Sequence, residues 1–358
     1  MIPPGFKYAT LALHTGMSAV GDDIELAPGL IVTAKAPVAI PEHWTTSLGT
    51  FAVNALAKAD VHITAFAAST APEILDEENE RLRSRVEHVY AGLLLGTPGV
   101  RVQYGRSMTG AHRLDREVDL RSTHQLNQVH QVVGFPRDAR ILPTHIRQAY
   151  EIGEGLREQR RAEGRDGFGD FARMKRCISA MYACIESRTL AHRLHQAVRV
   201  VEGVTGAGHE HFNSAHTPRL KRHVLRDSQK LHALPYTLYT IRSKVEHLYG
   251  EVAAVMEANL IDDREPRDAY IHFAAATCSA EVLAHALLGH VIRSHELWSH
   301  FSDDAAIPHF WDALADEHWT LRAGTALHAY QHLFDVEAVR RSYDEHLEDA
   351  ANEARFHT

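Results

Sequence analysis

Residues 171–203 read FARMKRCISAMYACIESRTLAHRLHQAVRVVEG, and this stretch decides the fold class of the second half of the chain. It contains no proline, and no glycine before Gly203, so none of the usual helix-breaking residues interrupts it. Cys177 and Cys184 are seven residues apart and are expected to face the same core. The stretch predicts either one long helix or two.

Helical patterns continue after this stretch, whereas the residues directly before it have a different composition. Further helices are predicted at 220–234, 236–260, 266–302 and 308–350, which makes 171–358 an all-α bundle. The charged, glycine-rich residues 151–170 form a candidate domain joint.

The N-terminal region, residues 1–150, mixes strand and helix signals. Strands are predicted at 9–16 and 29–40, where apolar and β-branched residues lie between glycine and proline. Residues 72–96 repeat apolar side chains at helical spacing, carry acids early and end at Gly96, which predicts a helix. The expected fold class is therefore an α+β N-terminal region followed by an all-α helical bundle, mainly α overall.

The composition is that of an ordinary soluble protein and excludes several classes of function. Hydrophobic residues make up 45% and charged residues 23% of the 358 residues, and the net charge of −8 argues against broad affinity for nucleic acid. No stretch of 18 consecutive apolar residues occurs, so no membrane span is expected, and the first residues lack the features of a secretion signal. Three cysteines without metal-binding spacing complete the prediction of a reduced, cytoplasmic protein with no membrane partner.

Two nearly identical segments raise the question of chemistry. RSRVEHVY (83–90) and RSKVEHLY (242–249) differ at two positions, and their flanks do not match, so they are not a domain repeat. A neutral His can take the proton of a ribose 2′-OH, or as imidazolium protonate the leaving 5′-oxygen, while an Arg braces the phosphate. On a helix, Arg242 and His247 project about 140° apart, so both residues can equally decorate a solvated face.

The surroundings of the second copy resemble the HEPN domain (higher eukaryotes and prokaryotes nucleotide-binding), most closely its Apea-like branch. The resemblance covers roughly residues 171–345 and is specific at 193–250. The residues that carry it are the Val200-Val201-Glu202-Gly203 step, Phe212, and Leu238-Tyr239-Thr240-Ile241-Arg242-Ser243 with His247.

The resemblance implies a HEPN-like helical bundle that forms a homodimer, with Arg and His facing a cleft between the subunits. It implies a metal-independent endoribonuclease acting in phage defence or as a toxin, with RNA as substrate and an antitoxin or sensor protein as partner. No cofactor and no metal are expected.

The resemblance assigns the roles of the family's motif residues to individual residues of this chain. Arg242 becomes the phosphate-binding residue and His247 the acid/base. Glu202, Ser243 in the polar slot, and Tyr249, which matches a site of nucleotide modification in one toxin branch, are supporting residues. The alternative is a non-catalytic HEPN scaffold, or a nucleotide-binding or dimerisation module.

One rival interpretation remains. A His-based metal hydrolase is less favoured, because His285, His290, His295 and His300 are spaced by five and rotate about 140° per step instead of converging. His328 and His332, and the histidines of HEHFNSAH (209–216), keep that alternative open. Arg83 and His88, in the first copy, are predicted to form a solvated face.

Overall fold

The computed structural model describes residues 2–15, 22–70, 77–100, 102–129, 141–166, 172–206, 234–246, 266–301, 304–313 and 336–356. The chain divides into two compact units, residues 1–130 with 137–158, and residues 131–136 with 159–358. An antiparallel sheet comes first and helices follow, which confirms the prediction of a mainly α chain with an α+β N-terminal region.

The first unit is built on a six-stranded sheet in which all neighbouring strands are antiparallel. The strands are β1 (Phe6–His14), β2 (Ile24–Ala27), β3 (Leu30–Thr33), β4 (Val61–Ala68), β5 (Tyr104–His112) and β6 (Val118–Gln125), in the order β2-β3-β4-β1-β5-β6. The predicted strand at 29–40 is shorter in the structure, because the Thr33 hydroxyl donates to the Lys35 carbonyl and closes a turn where β3 ends.

Side chains of β1 alternate between two covered faces of this sheet. Tyr8 and Ala12 pack with Trp44 of α1 (Trp44–Leu48) and Leu56 of α2 (Thr50–Ala57). Lys7 points to the opposite face, where its ammonium lies 3.4 Å from a carboxylate oxygen of Glu78 on α3 (Glu77–Gly96). Both faces of the sheet are therefore covered at the central strand β1.

Helix α3 crosses α4 (Pro143–Asp166) at very short range. A Cβ atom added to Gly92 would lie 1.9 Å from the Ala149 carbonyl oxygen, and one added to Gly153 would lie 2.5 Å from the His88 carbonyl oxygen. The described part of the candidate joint, residues 151–166, belongs to α4. The division between the units falls inside this helix, between residues 158 and 159.

The second unit is helical throughout its described part. Its helices are α5 (Ala172–Glu186), α6 (Leu190–Thr205), α7 (Leu234–Glu246), α8 (Pro266–Arg293), α9 (Ile307–Ala313) and α10 (Val336–Phe356), with 3-10 turns at His295–Phe301 and Asp304–Ala306. Helix α6 contacts α5, α7, α8 and α9, so it is central to the described bundle. The predicted helix at 220–233 lies outside the described residues.

The stretch 171–203 forms two helices rather than one. Helix α5 ends at Glu186, and α6 begins after Thr189, whose hydroxyl oxygen accepts a hydrogen bond from the backbone N–H of His192. Helix α6 ends where Gly206 adopts a left-handed φ of 75°, a conformation that glycine takes without strain. Cys177 and Cys184 are both buried on α5, as predicted.

Replacing Thr189 with alanine is expected to lower the free energy of unfolding by about 1 kcal/mol, because the first turn of α6 loses its capping acceptor. Urea denaturation followed by far-UV circular dichroism measures the change. Thr189→Ser keeps the hydroxyl and should retain most of the stability. Equal losses in the two variants would show that the hydroxyl does not cap α6.

Helix α8 is long and apolar enough, over Arg267–Arg293, to cross a membrane by length and composition alone. Core helices of soluble proteins pass the same test, and 72% of its most apolar window is buried inside the protein. Phe273, Leu283 and Leu287 are fully covered. The burial assigns α8 to the core of the helical unit.

Candidate functional site

Helix α7 carries the described part of the second Arg–His motif. Leu238 and Ile241 are buried, and α7 packs against α6, so these apolar side chains fix which face of α7 is turned inward. Pro235 lies in the first turn of the helix, where its missing N–H costs no hydrogen bond. Arg242 and Ser243 follow Ile241 and are half-buried at the border of this face.

Arg242 is held by two carboxylates from two helices. Its Nη1 lies 3.2 Å from Oε1 of Glu202 on α6, and its Nη2 lies 3.0 Å from Oε1 of Glu246 one turn later on α7. The guanidinium carbon lies 6.0 Å from the centre of the Tyr239 ring, at the limit of a cation–π contact. The Arg242 side chain is 17% exposed, so this ion pair sits between the core and the surface.

A histidine on α6 joins the same carboxylate. Nδ1 of His195 lies 2.7 Å from Oε1 of Glu246, the oxygen that also accepts from Arg242. His195, Glu202, Arg242 and Glu246 thus form one connected group, which we call the α6–α7 polar cluster. It joins two helices that lie about 40 residues apart in sequence.

Burial and local charge act on the His195 imidazole in opposite ways. Partial burial lowers the pKa of His195, and the positive charges of Arg242 and Arg199 lower it further, together with His192. The carboxylate of Glu246 raises it, but the net pKa lies below the ordinary histidine value. His195 is therefore mainly neutral at pH 7.

Only part of the predicted site lies within the described residues. The structure brings Arg242 and Glu202 into contact, and Ser243 lies beside Arg242 on α7. The catalytic candidate His247 and the supporting residue Tyr249 lie outside the described residues, as does Phe212.

The sequence reasoning missed His195 and Glu246. The spacing of polar residues in the sequence could have indicated them. On α6 such residues recur every three or four positions and so lie along one polar stripe, namely His192, His195, Arg199 and Glu202. Glu246 lies four residues after Arg242, the spacing of an ion pair on one helix. The partner of the stripe could not be known before α7 was placed.

The first copy of the motif differs from what its sequence predicts. Arg83 is partly exposed and pairs with Glu80 and Glu87 on α3, as a solvated face requires. His88, however, is buried and its Nδ1 donates to the carbonyl oxygen of Ser84. The prediction of a solvated His88 was wrong: the side chain is buried, and the backbone carbonyl of His88 lies at the α3–α4 crossing opposite Gly153.

The histidines proposed as metal ligands do not converge in the described part of the chain. His285 and His290 are buried on α8, whereas His295 is exposed in the following 3-10 turn. Among the described residues there is no group of three or more His, Cys, Asp or Glu side chains suited to a metal ion. His328, His332 and the 209–216 segment lie outside the described residues.

Chemically, the α6–α7 polar cluster combines a guanidinium that can bind an anion, a neutral imidazole that can accept a proton, and two carboxylates that orient them. Comparisons with family models, with curated proteins and with solved structures found no match to this chain.

Proposed function

We propose that this chain is a metal-independent endoribonuclease of the HEPN type, in which Arg242 binds the scissile phosphate and His247 transfers protons. The observation that most supports this function is the contact between α6 and α7, the two helices that carry the described residues of the family pattern. Arg242 and Glu202, which belong to the two separate segments of the family pattern, lie 3.2 Å apart at a partly exposed position.

Metal-independent cleavage of RNA depends mainly on groups that position the scissile phosphate and stabilise its developing negative charge. A guanidinium can donate two parallel hydrogen bonds to phosphate oxygens and stabilise the charge that builds up during attack by the ribose 2′-OH. The Nε of Arg242 is buried and has no hydrogen-bond partner among the described residues, so one donor of this side chain is unused, and a phosphate can reach it only if the guanidinium moves. Binding of a phosphate then requires Arg242 to exchange at least one carboxylate contact for it.

The wider setting of the proposal follows from the same resemblance. The helical unit is a HEPN-like bundle that acts as a homodimer in the cytoplasm. It cleaves RNA in phage defence or as a toxin under the control of an antitoxin or sensor protein. Ser243 and Tyr249 support the site from the same motif.

Arg242→Ala is expected to lower the kcat/KM for RNA cleavage about 10²–10³-fold, because a donor to the developing charge is lost. Cleavage of a mixed-sequence, single-stranded RNA oligonucleotide by the full chain is measured in the presence of a metal chelator. Arg83→Ala is a matched control, since Arg83 stands in an almost identical segment and also pairs with two glutamates. It should leave the rate unchanged.

His247→Ala should abolish cleavage to a similar or greater extent, since general acid–base catalysis contributes about 10²–10⁴-fold. Unchanged cleavage in folded Arg242→Ala and His247→Ala variants would contradict the site. A wild-type chain that cleaves no RNA under these conditions would contradict the enzymatic function.

A second candidate function is a non-catalytic HEPN scaffold or nucleotide-binding module. The observation that favours it is that both terminal nitrogens of Arg242 already contact carboxylates, as in an ion pair that fastens α7 to α6. On this alternative, Arg242→Ala lowers the melting temperature or the dimer affinity of a wild-type protein that has no ribonuclease activity.

A further inference from the structure

The contact between His195 and Glu246 has the geometry of an acid–base pair. Glu246 as a carboxylate can only accept, so Nδ1 of His195 carries the hydrogen in the 2.7 Å bond. In a neutral imidazole this leaves the lone pair on Nε2. A carboxylate that fixes the tautomer of a histidine in this way prepares the other ring nitrogen to accept a proton.

Access and charge are consistent with proton transfer at this residue. The His195 side chain is 28% exposed, so the ring is not sealed in the core. The titratable and charged groups that face it are Glu246 and Arg242 on α7, and Arg199 and His192 on α6. Burial and the two arginines favour the neutral imidazole, the form in which a base acts.

The position of the pair relative to Arg242 completes the argument. Oε1 of Glu246 accepts from both His195 and Arg242, so one carboxylate oxygen holds the imidazole and the guanidinium side by side. A phosphate bound by Arg242 would therefore lie near His195. Cleavage of RNA requires a base close to the phosphate, since the attacking 2′-oxygen belongs to the adjoining ribose.

We propose that His195 is the general base of this site and that Glu246 is its positioning residue. The proposal rests on the proposed ribonuclease function, and it assigns a second proton-transfer group to the same chain. Nε2 of His195 takes the proton of the ribose 2′-OH while the 2′-oxygen forms a bond to phosphorus. The P–O5′ bond breaks, and the leaving 5′-oxygen takes a proton from the His247 imidazolium.

The products of this step are a 2′,3′-cyclic phosphate and a free 5′-hydroxyl, and no co-reactant is consumed. Glu246 directly precedes His247 in the sequence, so the residue that orients the base is the neighbour of the acid.

The test compares wild type, His195→Gln and Glu246→Gln in RNA cleavage as a function of pH. His195→Gln should lower kcat/KM about 10²–10⁴-fold and remove the acid limb of the profile. In wild type this limb should lie below pH ~6.5, the ordinary histidine pKa, because the pKa of His195 is lowered. Glu246→Gln should move the limb to still lower pH, because the Glu246 charge raises that pKa.

Controls separate a chemical role from a structural one. His295→Gln replaces an exposed histidine whose Nδ1 lies 3.8 Å from Glu296, and should leave the rate and the profile unchanged. Added imidazole should restore part of the cleavage by His195→Ala but none of that by Arg242→Ala. An RNA with a 2′-deoxy residue at the cleaved position should resist every variant.

The outcomes distinguish this proposal from the one on which it rests. If Arg242→Ala abolishes cleavage while folded His195→Gln keeps the wild-type rate and acid limb, His195 is not the base and the ribonuclease function stands. If wild type cleaves no RNA, or Arg242→Ala and His247→Ala cleave normally, the ribonuclease site is wrong and the role of His195 is overturned with it.

Discussion

Glu281→Ala is expected to lower the free energy of unfolding of the helical unit by about 3–5 kcal/mol, because it leaves a buried guanidinium without its counter-charge. Arg193 on α6 and Glu281 on α8 are 3% and 1% exposed, and their side chains form a bidentate pair with distances of 2.8 Å and 3.0 Å. Urea denaturation measured by far-UV circular dichroism gives the change.

Arg193 also donates hydrogen bonds at the C-terminal end of α5. Nη1 of Arg193 donates to the carbonyl oxygens of Ile185 and Ser187, at 3.2 Å and 2.9 Å, where α5 terminates. Ile185 lies in the last turn of α5 and Ser187 directly follows the helix, where carbonyl groups lose the usual helical donors, so Arg193 supplies a donor to both. Loss of Glu281 therefore weakens the junction of α5, α6 and α8 together.

An exposed pair in the same unit provides the control. Arg340 and Glu337 on α10 form an ion pair at i, i+3 with both side chains largely in solvent. Glu337→Ala should change stability by less than about 1 kcal/mol. The double variant Arg193→Met/Glu281→Leu, which removes both charges, should recover part of the loss, and the remainder reflects the Ile185 and Ser187 carbonyl oxygens that lose Arg193 as donor. Similar small losses for Glu281→Ala and Glu337→Ala would show that the buried pair contributes little.

The buried pair also predicts a pH dependence. Burial by itself raises the pKa of the Glu281 carboxyl, but Arg193, with help from His285, lowers it below its ordinary value. The stabilisation is present above the unfolded pKa of about 4.3 and is lost as the pH falls through the lower folded value. This part of the acid-induced loss should be missing in Arg193→Met/Glu281→Leu.

Patterns within one element were predictable from the sequence, and contacts between elements were not. The apolar spacing of 72–96 and 171–203 predicted helices, and the structure has them at Glu77–Gly96 and on α5 and α6. The sequence does not decide between one helix and two over 171–203, because neither glycine nor proline marks the end of α5. In the structure, Thr189 caps α6 through a single hydroxyl.

In the candidate site, too, contacts between helices could not be predicted from the sequence. Arg242 and Glu202 could be named from the sequence through a family resemblance, but His195 depends on how α6 and α7 are aligned side by side. His88 was misassigned for a related reason. The backbone of His88 lies against α4, about 60 residues later in the chain, and the α3 sequence alone does not show which of its polar side chains become buried.

The crossing of α3 and α4 leads to the second large expected effect. Gly92→Ala should destabilise the N-terminal unit by about 3 kcal/mol or more, because the added methyl group meets backbone and cannot be accommodated by a side-chain rotation. Its Cβ would lie 1.9 Å from the Ala149 carbonyl oxygen and 2.9 Å from the Gly153 amide nitrogen. The helices would have to separate at this crossing. Urea denaturation and the exposure of the α3 amides to hydrogen exchange measure the effect.

Gly96→Ala is the matched control, since it makes the same substitution one turn later on the same helix. There the new Cβ would lie 2.5 Å from Cδ1 of Ile152, the far end of a flexible side chain that can rotate away. Because Gly96 is the last residue of α3, alanine gains only part of the helix-propensity difference of about 1 kcal/mol, which offsets part of that cost. We expect Gly96→Ala to remain close to wild type while Gly92→Ala loses protection along α3. If the two variants were equally stable, the α3–α4 contact at Gly92 would have to be looser than the structure places it.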